Sequence, residues 1–270
     1  MFDLTIEDRF IHAGGHRLKT RTLGAITPST PTLVFLHEGL GSIDLWKDYP
    51  ENVARTAKLP ALIYDRWGYG ESDQLVGPRR TSYRHVEALS VLPEVLAQFD
   101  IGKVILIGHS DGGCMSLLYS SEHQDRVLGV IALAPQVVAV APPREKSGQA
   151  TSSMQPVIDQ FESGGLREKL SKYHGDNTET MFYGWANAWG SREFEGWQMK
   201  KELGQVQCPV VIIVGDKDPY GYQHNIDELR NELTTPPTVL IHPEAAHIPH
   251  LEAEEFTLRH TVDAIESFGE

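Results

Sequence analysis

A serine flanked by glycines lies between a predicted strand and a predicted helix, where it could act as a nucleophile. The apolar run 104–107 (VILI) leads into the segment 108–113 (GHSDGG), and a helix-like stretch follows. A G-x-S-x-G sequence in this setting forms a sharp turn that exposes the serine hydroxyl above the sheet. Glycines are needed two residues before and two after the serine, because the chain passes too close there for a Cβ atom. The segment therefore predicts that Ser110 is a nucleophile, and the alternative is a plain glycine-rich turn.

Candidates for the other two members of a catalytic triad lie near the C-terminus. A nucleophilic serine needs a histidine to take its proton and an acid to orient that histidine. The segment 214–221 (VGDKDPYG) follows a strand-like run and contains both Asp216 and Asp218. His247 stands just after the last strand-like run. The sequence pattern alone leaves either aspartate open as the acid.

Three histidines, His242, His247 and His250, lie close together in the sequence and present two further alternatives. His242 and His250 compete with His247 for the role of the base. The three together could instead bind zinc, but no cysteine or carboxylate stands at ligand spacing from them. We therefore expect no metal.

Short apolar strands alternate with helical patterns over most of the chain. Strand-like runs cover residues 4–11, 16–23, 32–36, 61–64, 104–107, 127–133, 210–214 and 238–241, and the first two are spaced as a hairpin. This alternation predicts an α/β fold with a mostly parallel sheet and helices on both faces. No strand is readable in residues 136–205, where helical patterns dominate. We predict a core of residues 1–135 and 206–270, with 136–205 inserted as a helical cap over the C-terminal edge of the sheet, where open α/β folds bind ligands.

Four motifs, in the expected order, resemble those of the α/β-hydrolase superfamily. They are residues 37–42 (HEGLGS), 65–72 (DRWGYGES), 108–113 (GHSDGG), and the late acid and histidine loops. The resemblance spans nearly the whole chain and implies the α/β-hydrolase fold, in which the triad runs serine, acid, histidine along the chain. It implies Ser110 as nucleophile, Asp218 as the acid three residues after the loop glycine, and His247 as the base.

The resemblance also implies an oxyanion hole made of two backbone N–H groups. One should come from Asp111, the residue after the nucleophile, and the other from Gly39, with Leu40 as the alternative. The family usually has glycine where this chain has Glu38, and a carboxylate facing an oxyanion would oppose catalysis. We expect Glu38 either to be paired, with Arg66 as the predicted partner, or to contact the substrate.

Aromatic side chains of the predicted cap are candidates for the substrate pocket, together with Glu38. Trp185 and Trp189 stand four residues apart on one predicted helix, so both project from the same face. Pockets are lined mainly by apolar and aromatic groups, and we predict that both rings face Ser110. The HEGLGS and GHSDGG stretches and the capped layout are similar to those of bacterial hydrolases, including meta-cleavage-product hydrolases. This likeness implies a small or medium carboxylic substrate with an apolar or aromatic part.

Hydrolysis of a carboxylic ester, thioester or lactone through an acyl-enzyme is the function that these features predict. A cofactor-free carbon–carbon bond hydrolase of the meta-cleavage-product type would use the same triad and is the first alternative. A non-catalytic ligand receptor is the second, since hydrolase folds can be reused for binding. We expect no cofactor.

Composition argues against other classes of partner. A formal net charge of −13 over 270 residues disfavours nucleic acid, which requires a basic patch. No apolar run is long enough to span a membrane, and the first residues lack the pattern of a signal peptide. The two cysteines, Cys114 and Cys208, favour a reduced protein, so the cytoplasm is the expected location. The sequence predicts a small-molecule substrate and leaves the oligomeric state open.

Overall fold

A single eight-stranded sheet runs through the described part of the chain, which comprises residues 4–139 and 154–269 of the computed structural model. In chain order, the strands are β1 (Ile6–Ala13), β2 (His16–Leu23), β3 (Thr32–Leu36), β4 (Ala61–Tyr64), β5 (Val104–His109), β6 (Val127–Leu133), β7 (Val210–Gly215) and β8 (Thr238–His242). Across the sheet their order is β1-β2-β4-β3-β5-β6-β7-β8. The pairs β1–β2 and β2–β4 are antiparallel, and the other neighbours are parallel. The predicted α/β fold with a mostly parallel sheet is confirmed.

Helices cover both faces of this sheet. In the described residues they are α1 (Tyr49–Ala57), α2 (Tyr83–Val86), α3 (Leu92–Ala97), α4 (Asp111–Glu122), α5 (Gln155–Ser163), α6 (Leu166–His174), α7 (Thr178–Trp189), α8 (Lys200–Leu203), α9 (Gln223–Glu232), α10 (Pro249–Glu252) and α11 (Glu254–Ser267). None of these is both long and apolar enough to cross a membrane.

Alternate residues of β3 belong to two different apolar clusters, one on each face of the sheet. Leu33 and Phe35 pack in a cluster that includes residues of α1 and α11. Val34 and Leu36 pack in a second cluster, with residues of α3 and α4. Strands that are buried on both faces read as continuous apolar runs, which is why the central strands β3 to β7 were visible in the sequence.

One helical stretch is interrupted before a proline. It begins as α2, continues through a π-helical turn at Glu87–Val91 and ends as α3. Pro93 stands in the first turn of α3, where its missing backbone N–H cannot donate to a carbonyl of the preceding turn. The wider turn accommodates this missing hydrogen bond.

Helical segments also fill the chain between β6 and β7, within the region 136–205 that the sequence assigns to a cap. Helices α5 to α8 lie there, with short 3-10 turns at Gly175–Asn177 and Arg192–Phe194. Residues 140–153 of the region lie outside the described residues. Apolar side chains of α5, α6 and α7 form a cluster of their own that closes on Tyr69, in the loop after β4.

Polar side chains join this helical region to the loops that follow β3 and β4. His174 accepts the backbone N–H of Gly70 at 3.0 Å and contacts the carbonyl oxygen of Leu40, also at 3.0 Å. Asn177 donates to the carbonyl oxygens of Gly70 and Ser72, at 3.0 and 2.8 Å. The helices α6 and α7 are therefore held at the C-terminal edge of the sheet.

Candidate active site

Ser110 occupies the sharp turn between β5 and α4. Its φ of 51° and ψ of −109° cost a residue other than glycine about 1–3 kcal/mol, and such strain is concentrated at functional sites. A Cβ atom on Gly108 would lie 2.2 Å from the carbonyl oxygen of Gly112, and one on Gly112 would lie 1.8 Å from that of Leu36. Only glycine fits at these two positions, in agreement with the spacing of the sequence motif.

His247 and Asp218 form a hydrogen-bonded pair at the same edge of the sheet. Asp218 follows β7, His247 follows β8, and His247 Nδ1 lies 2.7 Å from Asp218 Oδ2. The carboxylate of Asp218 is fully buried, and its Oδ1 accepts the backbone N–H of Tyr220 at 2.9 Å. Asp216, the alternative acid, is exposed and accepts a hydrogen bond from the hydroxyl of Tyr222 at 2.5 Å. The structure thus brings Asp218, and not Asp216, to His247.

Glu252 holds the loop of His247 from its other side. One of its carboxylate oxygens accepts the backbone N–H groups of Ala246 and Ile248, at 2.8 and 3.0 Å. These are the two chain neighbours of His247, so Glu252 restrains the loop that carries the imidazole. Glu252 was not among the residues predicted from the sequence. The only feature that could have indicated it is its position, five residues after the predicted base.

The rival histidines have other environments. His242 Nδ1 accepts the backbone N–H groups of Glu244 and Ala245, at 3.3 and 3.1 Å. His250 packs against Trp46, and burial lowers the pKa of His250 to about 3. Within residues 4–139 and 154–269, no group of three or more His, Cys, Asp or Glu side chains could hold a metal ion. The zinc alternative therefore has no support in the structure.

Ser110 and His247 line one large cavity. Its volume is about 1190 Å³. The other predicted pocket and oxyanion residues in its wall are Glu38, Gly39, Trp185 and Trp189. No hydrogen bond joins Ser110 to His247 among the described residues, and contacts of this kind often tighten only when a substrate binds.

Asp111 and Gly39, the predicted oxyanion donors, belong to helix α4 and to the loop after β3. Asp111 is the first residue of α4, so its backbone N–H has no partner inside the helix. Gly39 follows β3 and lines the cavity. The Asp111 carboxylate is buried, with Arg84 nitrogens at 2.5 and 2.9 Å and the hydroxyl of Tyr83 at 2.5 Å. Its charge is therefore compensated by protein groups.

Arg84 is a residue that the sequence analysis missed. Its side chain is fully buried. The guanidinium carbon lies 4.5 Å from the ring centres of both Trp189 and Trp197, and 5.2 Å from that of Phe194. Arg84 thus joins the turn that carries Ser110 and Asp111 to the helical region between β6 and β7, through charge–aromatic contacts. The only feature of the sequence that could have indicated Arg84 is that it is a charged residue in a predicted helix that must pack on the sheet.

The predicted ion pair between Glu38 and Arg66 is wrong. Arg66 donates to the backbone carbonyl of Glu38 at 2.6 Å, and its other nitrogens face His37 and Met115. The Glu38 carboxylate turns back over Gly41 and reaches Nδ1 of His109 at 3.3 Å. The neighbouring strands β3 and β4 do bring Glu38 and Arg66 together, but the rotamer of Glu38 sends its carboxylate elsewhere.

Trp185 and Trp189 line the cavity in different ways. A Cβ atom on Gly39 would lie 2.0 Å from Trp185 Nε1, so this indole packs directly on the loop of the predicted oxyanion donor. Trp189 donates its Nε1–H to the hydroxyl of Tyr83 at 3.2 Å and stacks over Arg84. Trp185 therefore shapes the cavity beside Gly39, whereas Trp189 connects the cavity wall to the buried Arg84 network.

Comparison with known proteins places the chain among hydrolases. A family model described as alpha/beta hydrolase fold matches residues 31–189. A proline iminopeptidase from Lactobacillus delbrueckii subsp. lactis is 26% identical over 123 residues, which are 46% of this chain and 42% of that protein. The chain thus aligns with less than half the length of this curated relative.

Two solved structures share the fold over almost the entire chain. A serine hydrolase involved in carbazole degradation has a TM-score of 0.72 and 18% identity, with 97% of this chain and 99% of that chain covered. The carboxylesterase CesB from Bacillus subtilis has a TM-score of 0.68 and 14% identity, with 97% and 92% covered. At these identities the likeness concerns the fold.

Proposed function

Because the chain belongs to the alpha/beta hydrolase fold family, we propose that it is a serine hydrolase that cleaves a carboxylic ester, thioester or lactone through an acyl-enzyme on Ser110. The observation that carries this proposal is the 2.7 Å contact between His247 and Asp218, beside the cavity that Ser110 lines. Acyl transfer requires a nucleophile on a pre-formed turn, and a base oriented by a buried acid.

In the proposed first step, Ser110 Oγ attacks the carbonyl carbon while Nε2 of His247 takes the hydroxyl proton. Asp218 accepts the Nδ1–H of the imidazole, so the ring presents the correct nitrogen and its positive charge is stabilised. The oxyanion of the tetrahedral intermediate accepts hydrogen bonds from the backbone N–H groups of Asp111 and Gly39. His247 then gives the proton to the departing oxygen or sulfur, which leaves an acyl-enzyme.

Water completes the proposed cycle. His247 takes a proton from a water molecule, whose oxygen forms a bond with the acyl carbon. The second tetrahedral intermediate collapses, and Ser110 Oγ leaves with the proton held by His247. The net reaction consumes one water and releases a carboxylic acid and an alcohol or thiol, which are joined in one molecule when the substrate is a lactone.

We propose a small or medium substrate with an apolar or aromatic part, bound beneath a cap formed by residues 136–205. The cavity of about 1190 Å³ is somewhat larger than the roughly 300–1,000 Å³ usual for small-molecule pockets. Trp185 and Trp189 supply aromatic surface to its wall, and Glu38 supplies a carboxylate.

A cofactor-free carbon–carbon bond hydrolase is the second candidate, because it would use the same three residues. Its support is the resemblance of the sequence motifs and the capped layout to those of meta-cleavage-product hydrolases. A receptor without catalysis is disfavoured by the buried acid behind His247, since a pair of this kind has no role in simple binding.

Steady-state assays on the purified chain separate these candidates. The panel comprises p-nitrophenyl acetate, p-nitrophenyl benzoate, a thioester, a lactone and a vinylogous 1,5-diketone. We expect the esters to be the best substrates, and Ser110→Ala to lose several orders of magnitude in kcat while its circular dichroism is unchanged. A clear preference for the diketone would replace the ester assignment. No turnover of any compound would favour a receptor.

A further inference from the structure

His109, the residue before the nucleophile, is buried between two hydrogen-bond acceptors. Its Nε2 lies 2.8 Å from the backbone carbonyl oxygen of His247, and its Nδ1 lies 3.3 Å from Oε2 of Glu38. The side chain of His109 is completely inaccessible to solvent, whereas that of Glu38 is 23% exposed and lines the cavity. One imidazole therefore links the loop of the predicted oxyanion donor to the loop of the predicted base.

The two contacts of His109 determine how many protons its imidazole and the Glu38 carboxyl group must hold together. A carbonyl oxygen can only accept, so Nε2 of His109 must carry a hydrogen. In a neutral imidazole Nδ1 is then unprotonated, and it cannot form a hydrogen bond with an ionised carboxylate because neither group has a hydrogen to donate. The contact with Glu38 becomes a hydrogen bond only if one further proton lies on Nδ1 or on the carboxyl group. In either case the pair of side chains has no net charge.

The surroundings favour an ionised Glu38. Burial by itself would raise the pKa of Glu38, but the hydrogen bond from His109 brings it below its usual value. The guanidinium of Arg66 binds the backbone carbonyl of Glu38 and leaves its carboxylate to His109.

The other imidazoles nearby do not compete for this proton. The ring centre of His250 lies 5.0 Å from that of His109, and burial lowers the pKa of His250 to about 3. The ring of His247 is 5.2 Å away, and its Nδ1 faces Asp218. Burial also lowers the pKa values of His37 and His174, which are the other histidines near Glu38.

We propose that Glu38 and His109 form a second acid–histidine pair, in which His109 positions the loop of His247 and the proton shared with Glu38 keeps the surroundings of the oxyanion hole free of net negative charge. This role rests on the proposed hydrolase function. Both are positioning residues, because neither is placed in contact with the reacting atoms. The pair also explains how this chain tolerates a carboxylate at position 38, where the resemblance to α/β-hydrolases leads one to expect glycine.

A dependence on pH follows from the shared proton. While the pair retains the proton, the hydrogen bond between His109 and Glu38 persists and the carboxylate is neutralised. When rising pH removes the proton, that hydrogen bond is lost and an uncompensated negative charge remains beside the forming oxyanion. Charge repulsion then raises the barrier. We therefore expect kcat/KM to fall on the alkaline side.

Glu38→Gln is the variant that isolates this effect. The amide of the new side chain can donate to Nδ1 of a neutral His109, so both contacts of the imidazole persist without the additional proton. With p-nitrophenyl acetate, and with each kcat/KM value expressed relative to the same protein's value at neutral pH, we expect Glu38→Gln to lose the alkaline fall or to move it by at least about one pH unit. The proposal is overturned if the profile of kcat/KM against pH is the same as that of the original chain.

Glu244→Gln is the matched control. Glu244 precedes the His247 loop, is exposed and pairs with Lys217 instead of a histidine. The substitution removes the same charge close to the same loop, and we expect an unchanged pH profile. An equal change in both variants would assign the effect to net charge and would reject the pair.

Nuclear magnetic resonance tests the pair without any substrate. In Ser110→Ala protein with ¹⁵N-labelled histidine, His109 should have both ring nitrogens protonated at neutral pH, and Glu38→Gln should return it to a neutral ring. A neutral His109 facing an ionised Glu38 in the Ser110→Ala protein would overturn the proposal. If no ester is hydrolysed, this experiment still decides the protonation state, so failure of the pair can be told from failure of the proposed function.

Discussion

Arg84 binds the carboxylate of Asp111, the residue after Ser110, in a part of the protein that water does not reach. The two side chains are 0% and 1% exposed, and two guanidinium nitrogens lie 2.5 and 2.9 Å from Asp111 Oδ1. The hydroxyl of Tyr83 binds the other carboxylate oxygen. The N-terminus of α4, which carries a predicted oxyanion donor, is thus anchored by a buried ion pair.

Arg84→Met should destabilise the protein strongly, because it leaves Asp111 as a buried charge without its partner. The expected loss in free energy of unfolding is about 3–5 kcal/mol, measured by urea denaturation at pH 7. Arg167→Met is the matched control, since Arg167 pairs with Glu179 where both side chains are exposed, and its loss should stay below about 1 kcal/mol. Equal losses in the two variants would mean that the buried pair has no special importance for stability.

Asp218→Asn should reduce kcat by about 10⁴, because an amide favours the wrong tautomer of the imidazole. Asp216→Asn provides the comparison on the same loop, and it should retain most of the activity because Asp216 contacts Tyr222 and not His247. Initial rates with p-nitrophenyl acetate measure both effects. A larger loss for Asp216→Asn would show that the acid has been assigned to the wrong residue.

Trp185→Ala should change substrate preference more than Trp189→Ala does. Trp185 packs on Gly39 in the wall of the cavity, so its removal takes apolar surface from the proposed acyl site. We expect kcat/KM for p-nitrophenyl benzoate to fall relative to kcat/KM for p-nitrophenyl acetate. Each small apolar group that loses its contact in a pocket is worth about 1–3 kcal/mol of transition-state binding. Trp189→Ala should lower kcat/KM for both esters by a similar factor, since Trp189 contacts Tyr83 and Arg84. A uniform loss in Trp185→Ala would mean that this ring only holds the helical region between β6 and β7 in place.

The parts of the site that the sequence predicted best are those that local geometry dictates. A serine between glycines, after a strand and before a helix, allows few backbone conformations, and Gly108 and Gly112 meet backbone atoms at distances no Cβ could occupy. The central strands β3 to β7 were visible for a similar reason, because they are buried on both faces and have few polar positions.

The parts that the sequence missed depend on residues far apart in the chain. Adjacent strands correctly place Glu38 near Arg66, but the direction of the Glu38 carboxylate depends on His109, which is 71 positions away. Arg84 likewise obtains its role from Asp111 and from rings of the helical region, more than a hundred residues later. Sequence patterns predict which residues are brought to one edge of a sheet, and they do not predict the side-chain rotamers there.

The identity of the nucleophile is the central claim, and covalent labelling tests it most directly. Treatment with a fluorophosphonate, followed by intact mass measurement and peptide mapping, should show one label per chain, on Ser110. The reagent phosphonylates the serine that the active site itself activates, so labelling reports the turn, the base and the acid together. Ser110→Ala should take up no label while remaining folded. Label on another residue, or label that persists in Ser110→Ala, would contradict the account.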